Sequence, residues 1–143
     1  MNIDGVTTGI VLDHIAAGKS MLIYNLLRLD KLDCSVAIIQ NAKSGKYGKK
    51  DLLKIDQIID LDLDLIGFVD PHITVNIIKN SSLHSKKHMK LPEQLMNVIE
   101  CRNPRCITST ERGIEQRFRL DDPKKRIYRC EYCDTVHQGG IKF

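Results

Sequence analysis

Four cysteines late in the chain constrain its fold more than any other feature of the sequence. Cys101 and Cys106 form a CxxxxC pair, Cys130 and Cys133 form a CxxC pair, and 23 residues separate the two pairs. Each spacing lets two thiolates converge, and two such knuckles complete the closed tetrahedral shell of structural zinc. We therefore predict one structural Zn²⁺ per chain. A shell filled by protein argues against catalysis at the metal.

Two other interpretations of the cysteines stay open, namely a pair of disulfides or four unrelated thiols. Both are disfavoured because the N-terminus lacks the basic-then-apolar order of a secretory leader, and closely spaced pairs in such chains are typical of metal knuckles. No apolar run approaches the roughly 20 residues that span a bilayer. We expect a cytoplasmic protein with no membrane partner. Cys34, the fifth cysteine, is predicted to be a small core residue.

Length and composition favour two small domains. The chain has 143 residues, a hydrophobic fraction of 42% and a net charge of +4. The length suits one ordinary domain or two small ones, and the cysteine cluster occupies only the last third. Leu91-Pro92 is the predicted hinge, which gives domains at residues 1–92 and 93–143. The mild positive charge suits an anionic partner without identifying it.

The first 92 residues predict mixed strands and helices, an α+β arrangement. The β-branched apolar runs at residues 6–15, 34–40 and 73–78 predict strands. Residues 20–32 carry a helical apolar stripe, and Ser20 is a plausible N-cap.

Of three further segments in this half of the chain, only residues 51–69 are ambiguous by periodicity alone. The lysine-rich residues 41–50 contain two glycines and predict a turn. Residues 51–69 fit a strand or a helix at their start, while Leu61, Leu63 and Leu65 alternate as a strand would. The basic residues 86–90 precede the predicted hinge.

One motif resembles the end of a phosphate-binding loop but lacks a glycine that such a loop requires. Gly18-Lys19-Ser20 matches the end of such a loop, but the glycine required five residues before Gly18 is replaced by Asp13. A carboxylate there would repel a nucleotide phosphate. A turn into a helix is the ordinary interpretation.

Several motifs in order along the chain resemble the regulatory chain of aspartate carbamoyltransferase. They are residues 9–15 (GIVLDHI), residues 47–55 (YGKKDLLKI), Thr74-Val75-Asn76, and Leu91-Pro92-Glu93 followed by Asn97-Val98 and the CxxxxC knuckle. The resemblance covers essentially the whole chain. It implies a ferredoxin-like α+β allosteric domain, with a five-stranded antiparallel sheet and two helices on one face, followed by a small all-β four-cysteine zinc domain. It also implies a strand at residues 52–61 and a helix at residues 62–69, against the alternation.

The resemblance further implies a nucleotide effector site in the first domain. Its residues would be Val6, Val11, Asp13, His14, Lys54, Asn76, Ile78, Leu83 and Lys86. Lys86 and His14 would offer positive charge to phosphates, Lys54 would donate to ribose or base oxygens, and Asp13 would accept from the ribose or hold a lysine. Backbone at residues 4–6 would contact the base, and Val11, Ile78 and Leu83 would supply apolar walls. Lys50 is a weaker candidate, because its lysine-rich turn is by default solvated.

The function implied is that of a non-catalytic regulatory subunit. It would bind CTP and ATP, with UTP as a further candidate, and regulate the catalytic chain in de novo pyrimidine biosynthesis. Regulatory chains would pair through their allosteric domains and bridge catalytic trimers through their zinc domains. One alternative is a zinc-ribbon nucleic-acid-binding protein, since several basic residues flank the cysteines. Another is a nucleotide sensor with no enzyme partner. We favour the regulatory chain, with no nucleic-acid partner.

Overall fold

The structure is a computed structural model that describes residues 7–45 and 48–138. The chain divides into two compact units, residues 1–90 and residues 91–143. The elements of the first unit are β1 (Gly9–Ala16), α1 (Ser20–Leu26), a 3₁₀ turn (Leu29–Lys31), β2 (Val36–Ser44), β3 (Gly48–Ile55), α2 (Leu63–Val69), β4 (Thr74–Lys79) and β5 (Ser82–His88).

The first unit is built on a five-stranded antiparallel sheet with the strand order β2-β3-β1-β4-β5. The central strand β1 is apolar without alternation, because Ile10, Val11 and Leu12 are all buried. Val11 forms one buried cluster with Leu52 and Ile78. The α+β antiparallel architecture expected from the sequence is confirmed.

Helix α1 is shorter than the predicted helix over residues 20–32. It ends at Leu26, and Arg28 adopts a φ of 53° before the 3₁₀ turn begins. This interruption brings Leu29 into the core, where it is 1% exposed. The prediction of Ser20 as the N-cap was also wrong, because Ser20 is the first helical residue. Its backbone N–H and that of Gly18 donate to the Asp51 carboxylate on β3.

Most of the lysine-rich segment at residues 41–50 lies in strands and not in the long turn predicted, since residues 41–44 end β2 and residues 48–50 begin β3. Strand β2 continues to Ser44 and β3 begins at Gly48, with Lys43 opposite Lys49. Both of these lysines are exposed. These lysines lie on strands that extend into solvent. Their polar composition is also typical of loops, which is why a turn was predicted.

Residues 63–69 form a helix, as the resemblance implied and against the alternation of leucines. Helix α2 begins after Asp62, whose Oδ1 accepts the Leu65 N–H at 3.1 Å. Ile66, Phe68 and Val69 are buried on it. The implied strand at residues 52–61 is too long, since β3 ends at Ile55. The basic residues 86–88, which precede the predicted hinge, belong to β5.

The second unit has a four-stranded antiparallel sheet, in the order β6-β7-β8-β9, and one short helix. Its elements are β6 (Gln94–Met96), α3 (Ile107–Thr110), β7 (Arg117–Asp122), β8 (Ile127–Cys130) and β9 (Val136–Gln138). Leu95, Phe118 and Tyr128 form its buried apolar centre. The Tyr128 hydroxyl donates to the Pro92 carbonyl at 2.6 Å, which satisfies its buried polar end.

Candidate metal centre and effector surface

The first cysteine knuckle is a loop that leads into helix α3. The Asn103 side chain accepts the Arg105 N–H at 3.0 Å, and the Asn103 carbonyl accepts the Cys106 N–H at 3.1 Å. The Ser109 hydroxyl donates to the same carbonyl at 2.8 Å. These hydrogen bonds close the loop and place Cys106 immediately before the helix.

The second knuckle is the turn between β8 and β9. Cys130 ends β8, and its carbonyl accepts the Asp134 N–H at 2.9 Å, while its own N–H donates to the Thr135 carbonyl at 3.0 Å. Asp134 has a φ of 63°, which tightens the turn. Its carboxylate pairs with Arg119 of β7. The sheet therefore holds the turn on which Cys133 lies.

The four sulfur atoms converge in the geometry of a tetrathiolate site. The cluster consists of Cys101, Cys106, Cys130 and Cys133, and its Sγ atoms all lie within 4.8 Å of one another. The Cys101–Cys133 and Cys106–Cys130 Sγ distances are 3.5 Å and 3.7 Å. A tetrahedral ion with bonds of about 2.3 Å separates its sulfurs by about 3.8 Å. The donor set therefore fits a metal ion, with Cys106 and Cys130 buried and the other two partly exposed.

The pKa shifts of Cys101, Cys130 and Cys133 are consistent with a site built for a cation. Burial raises the pKa of Cys101 to about 12 and also raises the pKa of Cys130. The Thr135 side chain, hydrogen-bonded to Cys133, lowers the pKa of that thiol to about 6. Four thiolates at this separation repel one another, so full ionisation requires a positive charge among them.

Four of the predicted effector residues lie in one row across the first sheet. Val11 on β1 is paired with Lys54 on β3 and Asn76 on β4, and Asn76 is paired with Lys86 on β5. Directly opposed residues in antiparallel strands project from the same face. The cross-sheet row of Lys54, Val11, Asn76 and Lys86 thus places two ammonium groups on either side of an apolar and an amide side chain. The Asn76 Nδ2 donates to the Val11 carbonyl at 3.4 Å.

Two further predicted residues lie in a β-bulge beside this row. The register of β1 against β3 shifts between Leu12 and Ile15, and His14 adopts a φ of 61°. Such bulges redirect side chains and are frequent at functional sites. Asp13 Oδ1 accepts the His14 N–H at 2.6 Å, and His14 Nδ1 lies 3.1 Å from Thr74 Oγ1.

The remaining predicted residues differ in how they are placed. Ile78 is opposite Gly9 on β1 and Leu83 on β5, and Leu83 is 60% exposed although it was assigned to an apolar wall. Val6 lies outside the described residues. Lys50 was predicted to be solvated by default. Its Nζ instead lies 2.9 Å from Asp13 Oδ1 in an ion pair, and its side chain is largely covered. This ion pair was missed because Lys50 was predicted to lie in a turn, whereas it lies on β3 opposite Ala16.

In the described parts of the chain, no helix combines the length and the apolar character needed to cross a bilayer.

Comparisons with known proteins agree along nearly the whole chain. Residues 1–90 match the family model for the allosteric domain of the aspartate carbamoyltransferase regulatory chain, and residues 93–141 match that for its metal-binding domain. The chain is 46% identical over 140 residues to the aspartate carbamoyltransferase regulatory chain of Clostridium acetobutylicum, covering 98% of this chain and 96% of the relative. Identity to the Bifidobacterium longum regulatory chain is 41% over 134 residues, covering 94% and 96%. The resemblance found in the sequence is therefore confirmed, and the chain belongs to the family of aspartate carbamoyltransferase regulatory chains, which are non-catalytic subunits.

Proposed function

We propose that this regulatory chain binds nucleoside triphosphates on its first sheet and transmits their binding to an aspartate carbamoyltransferase catalytic chain, in de novo pyrimidine biosynthesis. CTP and ATP are the proposed effectors, with UTP as a further candidate. The cross-sheet row carries this proposal. Lys54 and Lys86 supply cations to an anionic ligand, and Asn76 between them supplies an amide donor and acceptor.

The bulge beside the row adds a second group of polar atoms. Asp13 Oδ1 lies 2.9 Å from Lys50 Nζ, and this ion pair orients the largely covered lysine at the bulge. The Thr74 hydroxyl steadies the His14 ring. A ligand that lies along the row would meet a pre-arranged set of donors, which reduces the entropy lost on binding.

We propose Zn²⁺ as the metal of the second unit, one ion per chain. Soft thiolates in a closed tetrahedral set select Zn²⁺ over the hard cations that prefer oxygen. When bound, Zn²⁺ would supply structural cross-linking and not catalysis. Cys101 and Cys106 would hold it from one loop, and Cys130 and Cys133 from the other.

We assign effector binding to residues 1–92 and contact with the catalytic chain to residues 93–143. Regulatory chains would associate as dimers and join catalytic trimers, in the cytoplasm. Allostery then requires that each nucleotide bind two quaternary states with different affinities, typically by about 1–3 kcal/mol. The compact units at residues 1–90 and 91–143 support a division of labour between the two ends of the chain.

The nucleic-acid-binding alternative is not favoured. Arg117 pairs with Glu115 at 2.9 Å, and Arg119 pairs with Asp134. Two of the basic residues near the cysteines are thus already paired with carboxylates, which weakens a phosphate-binding surface. The family membership of both halves of the chain also opposes this alternative.

Lys86→Ala tests the effector site, and Lys87→Ala is its matched control. The two lysines are adjacent on β5, but Lys86 is opposite Asn76 while Lys87 is opposite Val75, so they project from different faces. Losing a charge-assisted contact to phosphate costs about 1.5–3 kcal/mol, or roughly one to two decades of affinity. Lys86→Ala should weaken CTP and ATP together, because both carry the same phosphates, and Lys87→Ala should change neither appreciably.

Calorimetric titration of each nucleotide into each variant gives the affinities. Aspartate saturation curves of the enzyme reconstituted with a catalytic chain give the regulatory response. Wild-type affinity and response in Lys86→Ala would show that the site lies elsewhere, and the roles given to Asp13 and Lys54 would fall with it.

A further inference from the structure

Each cysteine knuckle carries a threonine two residues after its second cysteine. The sequence is Cys106-Ile107-Thr108 in the first knuckle and Cys133-Asp134-Thr135 in the second. Thr108 Oγ1 lies 3.2 Å from Cys106 Sγ, and Thr135 Oγ1 lies 3.1 Å from Cys133 Sγ. Two separate loops therefore place a hydroxyl within hydrogen-bond distance of a metal-binding sulfur, with the Thr108 hydroxyl as donor in the first and the Cys133 thiol as donor in the second.

The chemistry of metal binding fixes the direction of these two hydrogen bonds. A cysteine binds a metal as its thiolate, which has no proton to donate. A threonine hydroxyl can donate one proton. In the metal-bound chain the hydroxyls of Thr108 and Thr135 must therefore be the donors if the contacts persist.

Both threonines are held in place by the surrounding backbone. Thr108 lies in helix α3, directly after Cys106 and Ile107. The Thr135 carbonyl accepts the Cys130 N–H at 3.0 Å, which ties Thr135 to the other cysteine of its knuckle. Both residues are partly buried. The backbone thus holds both threonines beside the sulfurs that their hydroxyls contact.

The negative charge of the metal-bound site explains how these two hydrogen-bond donors would stabilise it. Four thiolates around a divalent cation leave a net charge of −2 in a partly buried place, and each donated hydrogen bond withdraws some of that charge from a sulfur. Groups that hydrogen-bond to metal ligands typically contribute 10–100-fold to metal affinity. One donor on each knuckle spreads the effect over both halves of the site.

We propose that Thr108 and Thr135 are positioning residues of the metal centre. Each donates a hydrogen bond to a coordinating thiolate, orients it towards the ion and strengthens its hold. This inference rests on the proposed binding of Zn²⁺ by the four cysteines, and it adds two residues that the spacing of the cysteines alone does not indicate.

The test removes each hydroxyl while keeping the shape of the side chain. The variants are Thr108→Val and Thr135→Val, with Thr108→Ser and Thr135→Ser to restore the donor. Thr110→Val is the matched control, because the Thr110 hydroxyl donates to the Ile107 carbonyl at 3.4 Å. The Zn²⁺ dissociation constant of the full chain is measured by competition with a chromophoric chelator. Each valine variant should bind Zn²⁺ 10–100-fold more weakly, while the serine variants and Thr110→Val should match the wild type.

A second readout separates hydrogen bonding to sulfur from general support of the fold. Co²⁺ bound by thiolates absorbs in the near ultraviolet by charge transfer from sulfur, and removing a donor to sulfur shifts that band to lower energy. The shift should appear in the valine variants and be absent from the serine variants. If a valine variant fails to fold with metal, the alanine variant, which creates no new contact, is measured in the same way.

The outcomes distinguish the role of the two threonines from the proposed binding of Zn²⁺ on which it rests. A wild-type chain that binds no Zn²⁺ would overturn the assignment of the metal. A wild-type chain that binds Zn²⁺, with valine variants equal to it in both affinity and Co²⁺ spectrum, would overturn only the role of the threonines.

Discussion

At the scale of single residues, Asp51 shows how a buried charge organises the first unit. Its carboxylate is 0% exposed and accepts backbone N–H groups from Gly18, Ser20 and Asn41 at 3.0, 3.2 and 3.0 Å. Burial raises the pKa of Asp51, but the nearby Ser20 hydroxyl and these N–H groups outweigh burial and lower it overall. One side chain thus fixes the turn after β1 and the bulge in β2.

Asp51→Asn should destabilise the chain at neutral pH and flatten its response to acid. Because the folded pKa lies below the ordinary value of 3.8, the stabilisation by Asp51 is complete above the unfolded pKa and is lost as the pH falls through the folded pKa. Asparagine presents one acceptor oxygen to three donors, so we expect a loss of about 1–3 kcal/mol at neutral pH. Urea unfolding midpoints of wild type and variant, measured between about pH 7 and pH 3, should converge towards the acid end.

Asp56→Asn is the control for this experiment, because Asp56 follows the same strand and is exposed. It should leave the midpoint nearly unchanged across the range. A constant difference between Asp51→Asn and wild type at every pH would mean that the pKa of Asp51 is the same in the folded and the unfolded chain, and the hydrogen-bonding argument would be wrong.

Residue-scale features divide sharply in how far the sequence predicts them. The four cysteines were predictable because each knuckle is local and two short spacings define it. The resemblance implied that Asp13 could hold a lysine, but Lys50 as its partner was not predictable, because that contact depends on how β1 and β3 are paired. Asp51 accepts the N–H of Ser20, the first residue of helix α1, which lies 31 residues earlier in the sequence. No local pattern records such a partner.

At the scale of elements, helix α2 illustrates a constraint from close packing. Gly67 lies in this helix, and a Cβ built there would meet the Lys90 carbonyl oxygen at 2.2 Å. Real Cβ atoms do not approach backbone so closely, so the helix and the chain at Lys90 lie together only because residue 67 lacks a side chain. The alternation of Leu61, Leu63 and Leu65 predicted a strand here and was wrong, because the Asp62 cap begins a helix.

Gly67→Ala should destabilise the first unit, although helix propensity alone predicts the opposite. Alanine favours an exposed helix over glycine by about 1 kcal/mol. Overpacking against backbone typically costs about 1–3 kcal/mol, and here the obstacle is a carbonyl that cannot rotate away. We expect a lower midpoint in thermal unfolding of the full chain.

Gly45→Ala, outside any helix, is the control for an added Cβ, since no atom of the described residues lies within 4 Å of a Cβ built at that position. Its midpoint should stay close to that of the wild type. A Gly67→Ala chain as stable as the wild type, or more stable, would show that propensity outweighs the contact and that the packing has room to adjust.

At the scale of the whole molecule, the two units differ in what holds them together. The first has an extensive apolar core on its five strands, including Ile10, Leu12, Ile55 and Val75. In the second, the described core is small, with Leu95, Ile99, Phe118 and Tyr128 as its buried apolar side chains besides two of the cysteines. A unit of this size is marginal without a cross-link or a metal. The expected metal therefore contributes to folding itself.

Cys130→Ala should unfold the second unit and leave the first folded. Removing one thiolate opens the shell, and the few apolar contacts of the second unit do not compensate for the lost coordination. Hydrogen exchange read by mass spectrometry should show protection lost in β7 and β8 and retained in β1, β3 and β4. Cys34→Ala is the control, because Cys34 lies in the first unit and outside the cluster.

Chelation of the metal from the wild-type chain should reproduce the Cys130→Ala pattern. Because the second unit is the proposed contact with the catalytic chain, either treatment should also release regulatory chains from the assembled enzyme while nucleotide binding persists. Protection retained in β7 and β8 after complete metal loss would show that the apolar core suffices, and the metal would then have to be assigned another role.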